Sequence, residues 1–247
     1  MKTEGPDRSA TLGLVPQAPS KKSIDRAGTL LRDWWRADDD IGGDDQPILD
    51  AFNLLGSFRE GFAAPLNKVT MGVRSMVGTV GAPVVVSQRL KRVVTILDKL
   101  DRKQNMKLTR MQDVGGCRAI LPNQDVVHGV IKRMERSRWV IRSLEDYAVD
   151  PKPTGYRAVH VVVVREEHMI EVQLRTERQH LWASTVERFS ARAGFEWLKD
   201  GNGPPVAVDF FRLTAEIMTL QDLQRPVDRD MMERVDDLRA RLHDLAG

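Results

Sequence analysis

The sequence lacks the cysteines for an internal disulfide and any segment that could span a membrane. Cys117 is the single cysteine in 247 residues, so an internal disulfide is excluded and a reducing compartment such as the cytoplasm is expected. No stretch approaches the roughly 20 apolar residues that span a bilayer. The first 20 residues are polar and contain Pro and Gly, without the apolar core of a signal peptide. We therefore expect a cytoplasmic protein with no membrane partner, in which Cys117 is a small buried apolar residue.

The signatures of several enzyme classes are also missing. The sequence has no Walker-type phosphate loop, no Cys/His metal pattern, no nucleophile elbow and no protein-kinase signature set. The corresponding NTPases, zinc proteins, α/β-hydrolases and protein kinases are therefore not indicated.

Charge is present in ordinary amount but is unevenly distributed. Apolar residues make up 41% and charged residues 30% of the chain, which is typical of one substantial domain with appendages or of two small ones. The net charge is +3, yet Val86 to Arg142 carries 14 Lys/Arg against 5 Asp/Glu, a local net of +9. Val206 to Gly247 carries 6 Arg against 9 Asp/Glu, a net of −3. The basic excess favours a polyanionic partner such as a nucleotide or RNA, whereas solvated helix faces would explain it without any partner.

Hydrophobic periodicity predicts helices interspersed with short strands. Five helical regions are predicted, followed by two more after the Gly201 to Pro205 break: Ser23 to Arg36, Pro47 to about Gly78, Arg89 to Lys103, Asn123 to Met134 and Glu177 to Ala193. Four strands are predicted: Cys117 to Leu121, Trp139 to Leu144, Tyr156 to Val164 and Met169 to Thr176. The last two strands are close enough to pair as a hairpin. The prediction is an α+β protein in which a mixed β-sheet is packed by helices.

Breaks in composition divide the chain into four predicted parts. Residues 1–20 are predicted to be a disordered arm, and residues 21–83 an N-terminal helical region. Residues 84–200 would form the core with the sheet, and residues 206–247 two C-terminal helices.

Two neighbouring strands concentrate chemically versatile side chains on one face. The alternation of the last strand puts Glu171, Gln173 and Arg175 on the face opposite its apolar residues. Tyr156 and His160 share a face of the preceding strand, so pairing would bring all five side chains to one surface. Such a set could bind a base, a phosphate and a metal. This pattern alone, however, favours a solvated sheet face with surface ion pairs.

A carboxylate and a basic segment precede the predicted sheet. Asp113 lies just before Gly115 and Gly116, where the backbone can turn sharply or approach a ligand. An Asp at this point suits Mg²⁺, but it also suits a turn held by local hydrogen bonds. Lys91, on the predicted helix from Arg89, could contact a triphosphate or face solvent.

Four short motifs follow one another along the chain: Ser87-Gln88-Arg89-Leu90-Lys91, Asp113-Val114-Gly115-Gly116-Cys117-Arg118, Asp146-Tyr147 followed by Pro151-Lys152 and Gly155-Tyr156-Arg157-Ala158-Val159-His160, and Glu171-Val172-Gln173-Leu174-Arg175-Thr176. In this order they resemble the RelA/SpoT synthetase family, whose members make guanosine penta- and tetraphosphate alarmones. The resemblance covers roughly residues 84 to 193. It implies a nucleotidyltransferase-like synthetase core, and we expect a small, stand-alone synthetase.

The resemblance implies a donor site for ATP with Mg²⁺ as cofactor. Arg89 and Arg118 would sandwich the adenine, and Lys91 would meet the phosphates. Asp113 would bind Mg²⁺, with Glu171 as a second metal-binding carboxylate and a possible general base. The implied reaction moves the β,γ-pyrophosphate of ATP to a ribose 3′-hydroxyl and releases AMP.

The resemblance also implies an acceptor site on the neighbouring strand and loop. Tyr156 would stack on the acceptor guanine, and Lys152 would contact phosphate. His160, Gln173 and Arg175 would line the acceptor and transfer site, with His160 and Gln173 counted among the catalytic residues.

Departures from the family pattern leave the acceptor open. Gln88 stands where the family commonly has Gly, and the helix after Thr176 carries Glu187-Arg188 in place of the usual Glu-His or Ala-Glu pattern. The acceptor is therefore a guanine nucleotide, as in alarmone synthesis, or the 3′ end of tRNA, as in related small synthetases that act as toxins of toxin–antitoxin systems. A catalytically degenerate module that binds nucleotide or RNA is the alternative.

The flanking helices have three interpretations. They could pack on the synthetase core, pair two protomers as a homo-oligomer, or bind an antitoxin or another regulator. Core packing is the default expectation.

Overall fold

A computed structural model describes residues 19–37, 45–81, 83, 85–194, 198 and 201–246. Most of the predicted disordered arm (residues 1–20) lies outside these described residues, as do residues 38–44 of the predicted N-terminal helical region.

Helices and strands follow one another in nearly the predicted order. The helices are α1 (Lys21–Ala37), α2 (Gln46–Glu60), α3 (Ala63–Thr79), α4 (Val93–Arg102), α5 (Gln124–Glu135), α6 (Glu177–Ala193), α7 (Pro205–Asp222) and α8 (Arg229–Ala246). The strands are β1 (Val85–Leu90), β2 (Gly115–Leu121), β3 (Val140–Asp146), β4 (Val159–Arg165) and β5 (His168–Thr176), and a 3₁₀ turn covers Leu108–Arg110. None of the described helices is long and apolar enough to cross a membrane.

The chain divides into two compact units, of which the first comprises residues 1–58 and 97–109. In its described part, α1 packs closely on the 3₁₀ turn, because a Cβ on Gly28 would lie 2.8 Å from that of Leu108. Leu31 and Leu55 are fully buried. The Arg36 guanidinium contacts the Asp101 carboxylate at 2.6 Å. Apolar burial and a surface ion pair thus hold this unit together.

The second unit, residues 59–96 and 110–247, contains the five-stranded sheet. The strand order is β1-β2-β5-β4-β3. β2 and β5 run parallel, and the other three neighbouring pairs are antiparallel. The predicted mixed sheet packed by helices and the predicted β4–β5 hairpin are therefore confirmed.

One face of the sheet is apolar and carries α3 and α5. Ile170, Val172 and Leu174 of β5 are fully buried on this face, as the alternating pattern predicted. Asn123 caps α5 by accepting a hydrogen bond from the Val126 amide, also as predicted. Cys117 of β2 is 3% exposed, and burial raises the pKa of its thiol to about 12. The interpretation of Cys117 as a buried apolar residue is confirmed.

The predicted helix from Arg89 to Lys103 is wrong at its start. Residues 85–90 form the edge strand β1, and α4 begins only at Val93. The predicted helix is correct for the apolar residues of α4. It is wrong for the residues before α4, because their backbone pairs with β2. The Lys91 amide continues this pairing by donating to the Val114 carbonyl at 2.8 Å.

β4 is also shorter than predicted, because it begins at Val159 and not at Tyr156. Residues 151–158 form a loop in which Gly155 takes a positive φ of 86°. The Gly155 amide donates to the Lys152 carbonyl at 2.7 Å, and the Lys152 amide donates to the Tyr156 carbonyl at 3.2 Å. A side chain at position 155 is excluded by α7, since its Cβ would lie 2.6 Å from that of Ala215.

The C-terminal helices belong to the same unit as the sheet. α7 packs on α6 and α8. Tyr156, Trp182 and Phe211 are buried together in the cluster that these helices build. The Trp182 indole donates to the Phe211 carbonyl at 2.8 Å, which fixes α7 against α6. α7 and α8 therefore pack on the core, which was the default expectation for the flanking helices.

Candidate active site

The polar face of the sheet carries its functional groups in two adjacent rows. Strand register aligns Arg118 of β2, Gln173 of β5, His160 of β4 and Glu145 of β3 across four strands. One step along, Glu171 pairs with Gly116, and Gly116 pairs in turn with Arg89 of β1. Directly paired residues point to the same side of a sheet. Glycine at position 116 leaves the space between Arg89 and Glu171 open.

Hydrogen bonds link His160 and Glu171 of this face with Tyr156 and Arg175 into a relay that ends on a carboxylate. Arg175 Nη2 donates to the Tyr156 hydroxyl at 2.7 Å, and that hydroxyl lies 2.7 Å from His160 Nε2. On the other side of the ring, His160 Nδ1 lies 3.2 Å from Glu171 Oε1. Because the hydroxyl accepts from Arg175, we assign its proton to the bond with Nε2, which leaves the imidazole proton on Nδ1 facing Glu171.

Glu171 is held in its ionised form by this relay. Its other oxygen, Oε2, accepts from Gln173 Nε2 at 2.7 Å. Burial by itself raises the pKa of Glu171, but the interaction with His160 and the hydrogen bond from Gln173 together outweigh burial and hold the pKa below its usual value. A partly buried carboxylate that stays ionised suits both metal binding and proton acceptance.

Three guanidinium groups converge beside the relay. Gln173 Oε1 accepts from Arg175 Nη2 at 3.1 Å and from Arg118 Nε at 3.4 Å. Burial, followed by the charges of Arg175 and Arg89, lowers the pKa of Arg118. Arg175 is only 3% exposed, and its Nε has no hydrogen-bond partner. Like charges packed this closely favour an anionic ligand that would separate and neutralise them.

Lys91 and Asp113 form a second, mostly buried ion pair in this unit. Lys91 Nζ contacts Asp113 Oδ2 at 2.9 Å, and the two side chains are 11% and 19% exposed. The Arg59 guanidinium donates to the Lys91 carbonyl at 2.8 Å and so orients the segment that carries the lysine. The two predicted phosphate and metal ligands are thus in direct contact.

The carboxylates available fit Mg²⁺ better than a metal that needs a full protein cage. Asp113 raises the pKa of Glu171 electrostatically, so the two carboxylates are close enough to sense each other's charge. Among the described residues, no group of three or more His, Cys, Asp or Glu is arranged to hold a metal. Mg²⁺ typically takes one or two carboxylates and completes its shell with phosphate oxygens and water. Asp113 and Glu171 satisfy that requirement.

Tyr156 is more enclosed than its predicted stacking role requires. It is 5% exposed, and its ring lies 5.1 Å from the Arg175 guanidinium and 5.3 Å from the Lys152 ammonium group. Burial raises the pKa of its phenol, with Arg175 opposing the shift. The assignment of Tyr156 to base stacking therefore stays a prediction, and it requires Lys152 or Arg175 to move aside.

Two residues near the site were missed by the sequence analysis. Tyr147 lies beside Tyr156 and His160, with ring centroids 5.9 Å and 5.2 Å away, and Lys152 Nζ lies 5.2 Å from its ring. Burial and then the charges of Arg118 and Arg175 lower the pKa of His180 on α6. Tyr147 belongs to the same sequence motif as Tyr156 and His160, and that motif is a signal for the site. His180 has no local sequence signal.

The ten predicted site residues therefore all lie in the second unit. Six share the hydrogen-bonded relay and its arginines: Arg118, Tyr156, His160, Glu171, Gln173 and Arg175. Lys91 and Asp113 form the ion pair, Lys152 covers two aromatic rings, and Arg89 lies on β1 across Gly116 from Glu171. Their individual roles remain predictions.

The fold and the polar face are those expected from the resemblance to RelA/SpoT-type synthetase domains. Residues 88–190 match the family described as "Region found in RelA / SpoT proteins". This match covers the sheet from Gln88 onwards and most of α6.

Curated relatives include a GTP pyrophosphokinase and an uncharacterized mycobacterial protein. The chain is 32% identical over 114 residues to GTP pyrophosphokinase YjbM of Bacillus subtilis, which covers 41% of this chain and 53% of that protein. It is also 32% identical over 111 residues to the uncharacterized protein Rv1366 of Mycobacterium tuberculosis, covering 42% and 38% of the two chains. The chain thus spans about half or less of the length of these curated relatives.

Solved structures match over a larger share of the chain. Small alarmone synthetase 1 of Bacillus subtilis, bound to its product pppGpp, superposes with a TM-score of 0.59 at 22% identity, over 70% of this chain and 95% of that one. Small alarmone synthetase 2 of the same organism gives a TM-score of 0.57 at 22% identity, over 65% and 90%. These similarities establish the shared fold.

Proposed function

We propose that the protein transfers the β,γ-pyrophosphate of ATP to the 3′-hydroxyl of a guanine nucleotide. The observation that carries this proposal is the ionised Glu171 carboxylate, fixed by His160 and Gln173 beside converging guanidinium groups. The name of the relative YjbM, GTP pyrophosphokinase, supports the choice of a guanine acceptor.

The proposed mechanism depends mainly on positioning and charge. Pyrophosphate transfer needs little covalent chemistry from a protein, but it needs neutralisation of the charge that develops on the phosphoryl oxygens. Arg89 and Arg118 would hold the adenine, and Lys91 would meet the triphosphate. Asp113 and Glu171 would hold Mg²⁺, which when bound polarises the phosphate oxygens.

Glu171 would also accept the proton of the attacking hydroxyl. The acceptor 3′-oxygen forms a bond to the β-phosphorus of ATP, the bond from that phosphorus to the bridging α,β-oxygen breaks, and AMP leaves with that oxygen. His160 and Gln173 would keep the carboxylate oriented, while Tyr156, Lys152 and Arg175 would bind the acceptor.

The test is transfer of label from β,γ-labelled ATP to GDP or GTP in the presence of Mg²⁺. Replacing the carboxylate in Glu171→Gln removes the proton acceptor without changing side-chain size, so we expect kcat to fall by about 10²–10⁴-fold. ATP affinity, measured separately by equilibrium binding, should change far less. Glu177→Gln is the matched control, since Glu177 is exposed at the start of α6. Unlabelled guanine nucleotide with the unaltered protein would refute the proposed acceptor.

The 3′ end of tRNA is the second candidate acceptor for the same reaction. Exposed cations near the end of α5 favour it, because they are not engaged by the Lys91–Asp113 pair or the relay. Bulk tRNA in the same labelling assay tests it directly, and a toxin of this kind would need an inhibitory partner. ATP binding without transfer to either acceptor, unaffected by Glu171→Gln, would instead indicate a degenerate binding module.

A further inference from the structure

Four cations at and just beyond the end of α5 have no acidic partner within the described part of the chain. Lys132, Arg133 and Arg136 lie within one arc of the helix, and Arg138 follows in the connection to β3; all four are exposed. Among the described residues, none of the four makes a side-chain ion pair or hydrogen bond, and one acidic residue, Glu135, lies between them. We call these four residues the basic surface.

A polar cleft opens beside the basic surface. Arg133 and Arg136 form one side of it, and α3 provides Ser75 and Thr79 on the other, with Ser137 at one end. The space measures about 300 Å³ and is open to solvent. Guanidinium groups facing hydroxyls form a surface suited to phosphate and sugar oxygens.

An aromatic ring lies against the same part of α3. Trp139 packs on Gly72, which also lines the cleft, so closely that a Cβ on Gly72 would lie 2.4 Å from the Trp139 ring. Trp139 remains partly exposed. A tryptophan next to cations and hydroxyls provides a stacking surface for a base.

The basic surface is separate from the transfer site. α3 and α5 pack on the apolar face of the sheet, whereas the relay and the arginine cluster lie on the opposite face. Seven of the 14 Lys/Arg residues between Val86 and Arg142 therefore fall into two separate groups. Arg89, Lys91 and Arg118 belong to the transfer site, and the four cations of the basic surface are left for another anion.

We propose that the basic surface and its cleft bind the sugar–phosphate backbone of single-stranded RNA. The cations extend from the last turn of α5 into the connection to β3, which suits a strand with repeated phosphates better than a single nucleotide. The cleft hydroxyls are placed to meet ribose 2′-hydroxyl groups, and Trp139 offers one stacking position. The inference does not depend on the transfer reaction.

The dipole of α5 accounts for only part of the charge. Cations near a helix C-terminus are stabilised by the last carbonyls, and this effect falls off within the last turn. Arg138 lies beyond the helix, and two of the cleft hydroxyls, those of Ser75 and Thr79, belong to α3. An acidic protein is the competing partner for this surface, and binding of a poly-glutamate peptide tests it.

The test measures binding of a fluorescently labelled single-stranded RNA of about 20 nucleotides to the full chain by anisotropy. The variant replaces all four cations: Lys132→Gln, Arg133→Gln, Arg136→Gln and Arg138→Gln. Its matched control makes the same change at four exposed arginines of α8: Arg229→Gln, Arg234→Gln, Arg239→Gln and Arg241→Gln. We expect at least a tenfold loss of RNA affinity in the first variant and less than a twofold loss in the control.

The salt dependence gives a second readout. Each lost phosphate contact should reduce the slope of log K against log salt by about 0.7, so the basic-surface variant should show a slope shallower by about 2 to 3. Unchanged melting temperatures show that both variants are folded. Transfer to a free guanine nucleotide, if present, should be unaffected, which separates failure here from failure of the proposed reaction.

Several results would overturn the proposal. Equal losses in the two variants would reduce the effect to non-specific attraction. Equal affinity for DNA of the same sequence would remove the role of the ribose hydroxyls. Complete displacement of RNA by free GTP would make the cleft a nucleotide site, and stronger binding of a poly-glutamate peptide than of RNA would make it a protein interface.

Discussion

The arrangement of donors around Glu171 sets the pH behaviour of the site at the scale of single residues. Glu171 has a pKa below its ordinary 4.5 because His160 and Gln173 outweigh burial. A depressed pKa contributes stability that is present above the unfolded value and is lost as pH falls through the folded one. Ionised Glu171 therefore stabilises the folded site throughout the neutral range.

Removing the histidine partner should shift this balance. In His160→Asn, burial opposes the charge of Glu171 with less compensation, so we expect the pKa of Glu171 to rise. The acid limb of the kcat profile for pyrophosphate transfer should then move to higher pH than in the unaltered protein. His243→Asn on α8 is a control that should leave the profile in place. An unchanged acid limb in His160→Asn would show that His160 does not stabilise the carboxylate.

Sequence reasoning anticipated the composition of the site better than the environment of each residue. Alternation along β5 is local, so it predicted that Glu171, Gln173 and Arg175 share a face, as they do. The enclosure of Tyr156 depends on Trp182 of α6 and on α7, which are distant in sequence. No local pattern around Tyr156 carries that information.

At the scale of secondary-structure elements, the helix prediction is wrong where a segment with helical hydrophobic periodicity pairs with a strand of the sheet instead. The stripe from Leu90 to Leu100 is compatible with a helix throughout, yet residues 85–90 are taken by the edge of the sheet. A strand that pairs with a distant segment gains hydrogen bonds that helical periodicity does not encode. The parallel pairing of β2 with β5 was likewise beyond local reasoning.

The loop before β4 offers a test of how an element shapes the site. Gly155 has a positive φ of 86° and a forbidden approach of 2.6 Å to Ala215, so Gly155→Ala should be strained and also displace α7. We expect a loss of about 2–4 kcal/mol in the free energy of unfolding, measured by urea denaturation.

Gly194→Ala separates the two causes of that loss. Gly194 also has a positive φ, of 67°, but a Cβ there would have no neighbour within 4 Å. It should cost about 1 kcal/mol, from backbone strain alone. Similar losses in the two variants would mean that α7 yields easily and does not fix the loop.

At the scale of the whole molecule, Cys117 reports whether the sheet is intact. Its pKa of about 12 leaves only about one part in ten thousand as thiolate at pH 8, and its side chain lies within the core. We expect negligible reaction with a thiol reagent under native conditions and one thiol per chain in guanidinium chloride. Rapid stoichiometric labelling of the native protein would show that the centre of the sheet opens readily.

The position of β5 also has a consequence for how the protein is made. β1 with β2, and β3 with β4, are antiparallel pairs, and β5 is the strand inserted between them. During synthesis both pairs emerge before the strand that joins them. That last strand also carries Glu171, Gln173 and Arg175, so a nascent chain cannot acquire its central chemistry before its sheet is complete.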